Sequence, residues 1–244
     1  MLTMRDHNVQ DYAVLADMDA TMVGALSEDD RACLEELGQY LCVTDAWERF
    51  GIWLLHKHFE PSHGEVFVER AIRASRKTVT TPVKRSAFDK QELSTTAIRF
   101  DDSLGGGVDV IGMEFSQRED FGDTAPLDDD DEIVLAGIAA RLEAHGKTQR
   151  FGVRLIRNPL GLAPHEVLHE TCDRDHRTLH CNVRERHAVP AGQTIVETAW
   201  RWRLVQGKTA PAVMGECTAT CARALVAGHD IAHSHSEPDY FGND

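Results

Sequence analysis

Apolar spacing along this chain alternates between helical stripes and strand-like runs. Ser27 stands before Glu28-Asp29-Asp30, a capping residue with an acid three positions on, and Leu34, Leu37 and Leu41 follow on one face, which predicts a helix. The period then changes. Phe50-Gly51-Ile52-Trp53-Leu54 is too dense in aromatic and β-branched residues for a surface helix, Glu60-Pro61-Ser62-His63-Gly64 carries turn chemistry, and Val66-Phe67-Val68 returns. Arg49 to Glu69 therefore reads as a strand, a turn and a returning strand. Lys77 to Val83, broken near its end by Pro82, Ser94 to Phe100, and Val108 to Phe115 give three more strands, with Gly105-Gly106-Gly107 as a hairpin loop. The acids Asp128 to Asp131 precede a stripe of Leu135, Ile138 and Leu142 that Gly146 is placed to end, so they read as capping and dipole chemistry for a second helix.

The pattern recurs at an offset of 101 residues. Leu34, Leu37 and Leu41 fall on Leu135, Ile138 and Leu142, and Arg49-Phe50-Gly51 falls on Arg150-Phe151-Gly152. Glu65-Val66 falls on Glu166-Val167 and Glu69 on Glu170. This predicts an α+β protein with an internal duplication: two helix-plus-antiparallel-sheet units, about 27–118 and 128–226, packed as one pseudo-twofold body. Whether the units share one sheet, a barrel or two packed sheets stays open. The expected segments are a lead-in over 1–26, repeats over 27–126 and 127–228, and a His-rich acidic tail over 229–244.

Composition removes some partners. A net charge of −14 over 244 residues argues against nucleic acid, whose sequence-independent affinity comes from Lys and Arg neutralising phosphates. There is no apolar run of about 18 residues, so no membrane span is expected. The first twenty residues carry acids where a signal peptide has an apolar core, so a cytoplasmic location is expected. Six cysteines in a chain of this length then read as free thiols or metal ligands. Oligomeric state is not legible.

Histidine is the unusual residue, with thirteen against three tyrosines. His56 and His58 lie two apart on the expected strand, which puts both imidazoles on one face about 6.6 Å apart. If His58 pairs opposite Glu65, that carboxylate joins them; Glu60 is the alternate acid and His63, in the turn, an alternate ligand. Two His and one carboxylate with open positions suit Zn(II) or Fe(II). At the matching positions the second half has Arg157 and Pro159, while Glu166 and Glu170 persist. The histidines are thus not required by the fold, Glu69 and Glu170 read as structural, and Arg157 becomes a candidate for binding a substrate anion or a carboxylate.

His56-x-His58 with a following acid resembles the first motif of cupins, and Val189-Pro190-Ala191-Gly192 faintly resembles the second. The acid spacing departs from that pattern, with Ser62 and His63 where the acid belongs, and the second motif lacks its His. The chain is not assigned to that family.

His169, Cys172, His176, His180, Cys181 and His187 follow no zinc-ribbon or finger spacing. Cys217, Cys221, His229, His233 and His235 are secondary metal candidates, a zinc spacing if 216–226 is helical. The duplication, however, aligns that stretch with a strand, where the two sulfurs stand about 13 Å apart. The leading expectation is a metal-dependent enzyme acting on a small molecule, by zinc hydrolysis or hydration or by iron oxygenation. The alternatives are a non-catalytic small-molecule or metal binder using the second repeat and tail, and a structural or assembly protein without metal.

Overall fold

The structure is a computed structural model that describes residues 4–17, 25–89, 92–101, 109–120, 125–186, 188, 195–205 and 208–218. Helix α2 (Glu28–Val43) starts where its capping chemistry lies. The Ser27 hydroxyl accepts from the Asp30 N–H and the Asp30 carboxylate accepts from the Ser27 N–H. Asp128 and Asp131 form the same reciprocal pair at the start of α3 (Asp129–Ala144), so the acidic run is helix-start chemistry. A short α1 (Val9–Ala13), capped by Asn8, lies in the stretch read as an irregular lead-in.

The strands are β1 (Met4–Asp6), β2 (Phe50–Leu54), β3 (Glu65–Ile72), β4 (Lys77–Lys84), β5 (Leu93–Asp101), β6 (Asp109–Gln117), β7 (Phe151–Leu155), β8 (Glu166–Asp173), β9 (Thr178–Glu185), β10 (Ile195–Val205) and β11 (Lys208–Thr218). They form one sheet in the order β1-β6-β3-β4-β9-β8-β11-β10-β2-β7-β5. Strand β5 pairs back onto β6, which closes ten strands into a barrel and leaves β1 as an extra parallel strand beside β6.

This closure corrects the expected α+β body of two duplicated helix-plus-sheet units. β2 pairs antiparallel with β7, from Phe50↔Leu155 to Leu54↔Phe151, β4 pairs with β9, and β10 pairs with β2. Each half is completed by strands of the other, and the protein is mainly β with two long helices against the outside. β3–β6 and β8–β11 are parallel pairs, which short antiparallel connections do not anticipate.

The expected hairpin from Arg49 to Glu69 is also corrected. β2 lies between β10 and β7, whereas β3 lies between β6 and β4. The residues between them leave the sheet: the Leu55 N–H donates to the Arg150 carbonyl and the Lys57 N–H to the Ala16 carbonyl. Every residue of β2 is buried, which is why its sequence shows no alternation. Phe50, Ile52 and Leu54, with Phe151, Val153 and Leu155, pack in one cluster with the helix stripes. Trp53 and Leu55 belong to the second cluster, with Tyr12, Phe67, Ala97 and Met113.

Two arginines fasten the helices to the barrel. Arg49 bonds Asp131 at 3.1 and 2.5 Å and the Ala125 and Pro126 carbonyls at 2.6 and 2.8 Å. Arg150 reaches Asp30 at 3.5 Å and the Ala25 carbonyl at 3.3 Å. The glycine of the second Arg-Phe-Gly has a steric reason: a Cβ at Gly152 would collide with the Ile98 carbonyl of neighbouring β5.

The barrel interior carries charge. Arg154 of β7 lies 3.0 Å from Glu114 of β6 and 3.7 Å from Glu69 of β3, strands two and three places round the ring. Only the concave face of a closed sheet brings such side chains together. Among the described residues no helix is long and apolar enough to cross a membrane.

Candidate metal centre

His56 and His58 sit just past the end of β2, in the segment that leaves the sheet. Lys57 between them holds that segment from outside, its Nζ 2.6 Å from Glu60 and 3.3 Å from the Ala13 carbonyl. The two imidazoles point inward instead. His56 packs edge-on to Trp53, and its Nδ1 lies 2.7 Å from the Leu54 carbonyl. A carbonyl can only accept, so Nδ1 carries a proton and Nε2 is the nitrogen that His56 turns to the interior.

That nitrogen faces two other metal-ligating atoms. His56 Nε2 is 3.2 Å from His58 Nε2, and Glu170 Oε2 is 3.3 Å from the first and 3.6 Å from the second. All three residues are buried, at 4%, 6% and 5% exposure. Metal–ligand bonds of about 2.0–2.1 Å at a tetrahedral angle put neighbouring donor atoms about 3.3 Å apart. The observed triangle has that size. Glu170 Oε2 is buried without a well-aligned hydrogen-bond donor. A cation among the three atoms, metal or proton, satisfies the whole set.

Glu170 comes from β8, in register with Cys181 of β9 and Cys217 of β11. Burial opposes its charge, but the adjacent His56 and His58 rings more than offset this and hold the carboxyl well below the usual carboxylate range. Burial raises the Glu114 carboxyl, against the Arg154 guanidinium that opposes the rise. Burial likewise opposes the Glu69 charge, yet Arg157 and Arg154 bring that carboxyl below its ordinary value. Burial pushes the Cys181 thiol well up, so it stands as a neutral thiol beside the site. The cavity over the three ligand atoms holds about 30 Å³, room for one or two waters. Tyr12, Trp53, Phe59, Phe67, Thr80, Glu114 and Leu179 complete its walls.

The histidine pair expected from the sequence is thus brought together, and the carboxylate beside it is Glu170. Glu65 is engaged elsewhere: it accepts from Arg177 and from the Ser62 N–H, each at 2.7 Å, and lies 4.0 Å from Lys84. Its strand, β3, does not neighbour β2, which removes the geometry that recommended it. Glu60 is exposed on Lys57, and His63 is exposed, its carbonyl accepting from Lys84. Arg157 is paired with Glu69 and donates to the Asp120 carbonyl at 3.3 Å; it meets a carboxylate of the barrel interior.

In the second cluster Cys172 and Cys181 are buried free thiols and His176 is exposed on Asp173 at 2.8 Å. Among the described residues, His56, His58 and Glu170 are the metal-ligating side chains that converge. The Cys217 side chain, Cys221, His229, His233, His235, His187, the Val189–Gly192 stretch and the Gly105–Gly107 loop lie outside the described residues.

Sequence reasoning missed Glu170 because its partners are set by ring closure, with β11 and β10 between β8 and β2. The available signal was an acid next to His169 and two residues before Cys172 in a strand-like run. Searches against protein-family models, curated proteins and solved structures find no match to this chain.

Proposed function

We propose that this chain is a metal-dependent enzyme acting on a small molecule, with His56, His58 and Glu170 holding Zn(II) or Fe(II). The observation that carries the reading is the ligand triangle of 3.2, 3.3 and 3.6 Å, with the His56 proton committed to Leu54. Two imidazoles and one carboxylate leave positions for water or substrate, as in catalytic zinc sites and non-haem iron sites. Bound there, zinc would polarise a substrate oxygen or supply hydroxide, and iron would supply oxygen chemistry.

The chain's own residues have separable tasks in this reading. The Leu54 carbonyl fixes the orientation of the His56 ring. Glu114, anchored 3.0 Å from Arg154, lines the cavity and holds or accepts a proton there. Trp53, Phe59 and Phe67 keep bulk water away. Tyr12 is committed through its hydroxyl to the Met113 carbonyl at 2.9 Å and takes no part as an acid.

The narrow cavity favours one second reading, a structural ion that clips the end of β2 to β8. Elemental analysis of untagged protein, dialysed against a weak chelator, tests the shared premise. About one ion per chain, absent from the His56→Ala/His58→Ala variant, supports the centre; a metal-free protein removes it.

A further inference from the structure

We infer that the open positions of this centre take diatomic and triatomic ligands and exclude organic ones, an inference that rests on the metal reading above. The limit is steric. The three ligand atoms are almost wholly withdrawn from solvent, and the space beyond them is about 30 Å³. Pockets for ordinary organic ligands are about 300–1,000 Å³. The walls are stiff: Trp53 is buried at 3% exposure, and Phe67 stacks edge-on against both Phe59 and Tyr12, with centroids at 5.3 and 4.8 Å. Tyr12 is itself fixed by its bond to Met113. Opening this space for a ring-sized ligand requires moving packed aromatic groups.

The polar part of the wall fits the same ligand class. Beyond the ligands and Lys57 the lining carries Thr80, Glu114, the Trp53 indole and the Tyr12 hydroxyl already bonded to Met113. The Thr80 hydroxyl and Trp53 N–H are buried without a hydrogen-bond partner. A water, a hydroxide or a molecule the size of carbon dioxide or dioxygen reaches such groups from a metal position. The substrate class is therefore a small inorganic molecule, with any organic co-substrate outside the cavity.

The test uses the untagged full chain loaded with Co(II), whose visible spectrum reports its ligands. Azide is the triatomic probe and imidazole the ring-sized one. Cobalt bound at about one per chain, with azide changing the spectrum saturably and imidazole requiring at least about tenfold more, is the expected result. Phe59→Ala, at a half-buried position, should bring imidazole to within a few-fold of azide; Phe59→Leu serves if the alanine variant fails to fold. Cobalt bound while imidazole competes equally with azide in the wild type overturns the size limit. Cobalt bound with both probes silent also overturns it, in favour of a closed structural ion. No stoichiometric cobalt overturns the metal reading itself, and this inference with it.

Discussion

Glu170 on β8 and His56 at the end of β2 stand 3.3 Å apart, although β11 and β10 separate their strands in the ring. The contact exists because the sheet curls, so that β8 and the end of β2 face each other across its interior. It fixes which acid matters to the centre. Glu170→Gln, which keeps the shape and removes the charge, should lower metal occupancy by an order of magnitude or more. Glu65→Gln should leave occupancy unchanged, because that carboxylate is spent on Arg177. Isothermal titration with zinc on both variants separates the two.

Metal occupancy should fall with acid. Both ring nitrogens and the Glu170 oxygen must be deprotonated to bind an ion, so protons and metal compete for the same three atoms. Zinc content after equilibrium dialysis at descending pH should drop monotonically, with about two protons taken up per ion released. Occupancy independent of pH between neutrality and mild acid would point to binding elsewhere.

The metal-free protein should also lose stability in acid, with a definite sign. Glu69 and Glu170 have folded-state pKa values below their ordinary ones. Their contribution is fully present above the unfolded carboxylate value of about 4.3 and is lost as pH falls through the lower folded values. Glu114 has the opposite sign: its folded value is raised, so its ionisation costs stability as pH climbs from the unfolded to the folded value. Urea midpoints from pH 7 to pH 3 should therefore fall less steeply for Glu69→Gln than for the wild type. Glu114→Gln should be relatively more stable at the neutral end.

Arg154 lies 3.0 Å from Glu114 and 3.7 Å from Glu69, and removing it leaves the buried Glu114 without its cation while Glu69 keeps Arg157. Arg154→Met should cost roughly 3–5 kcal/mol, the usual scale for breaking a buried pair from one side. The double variant Arg154→Met/Glu114→Gln should recover part of that loss. Chemical denaturation of the three proteins measures the coupling.

Gly152→Ala should destabilise by about 1–3 kcal/mol, because its methyl would meet the Ile98 carbonyl and the neighbour is backbone. A silent Gly152→Ala would mean that β5 and β7 lie farther apart than described.

Local chemistry was legible in the sequence where local chemistry decides. The Ser27 and Asp128 caps stand at the starts of α2 and α3, and the leucine stripes face the barrel. His56 and His58 were legible as a pair, though for a partly different reason: they meet by turning inward past the end of a strand and not by alternating along one. The closed barrel was not legible. β2 is buried on both faces, so its sequence carries no alternation from which to read a partner, and the parallel pairs β3–β6 and β8–β11 join strands distant in the chain. Without ring closure, Glu65 is the nearest acid in sequence and Glu170 has no visible link to His56.

The most direct measurement is elemental analysis of three untagged proteins purified alike: the wild type, Glu170→Ala and Glu65→Ala. The wild type and Glu65→Ala should each carry about one zinc or iron per chain, and Glu170→Ala none. A wild type without metal, or a Glu170→Ala protein that retains its full complement, would contradict the metal reading.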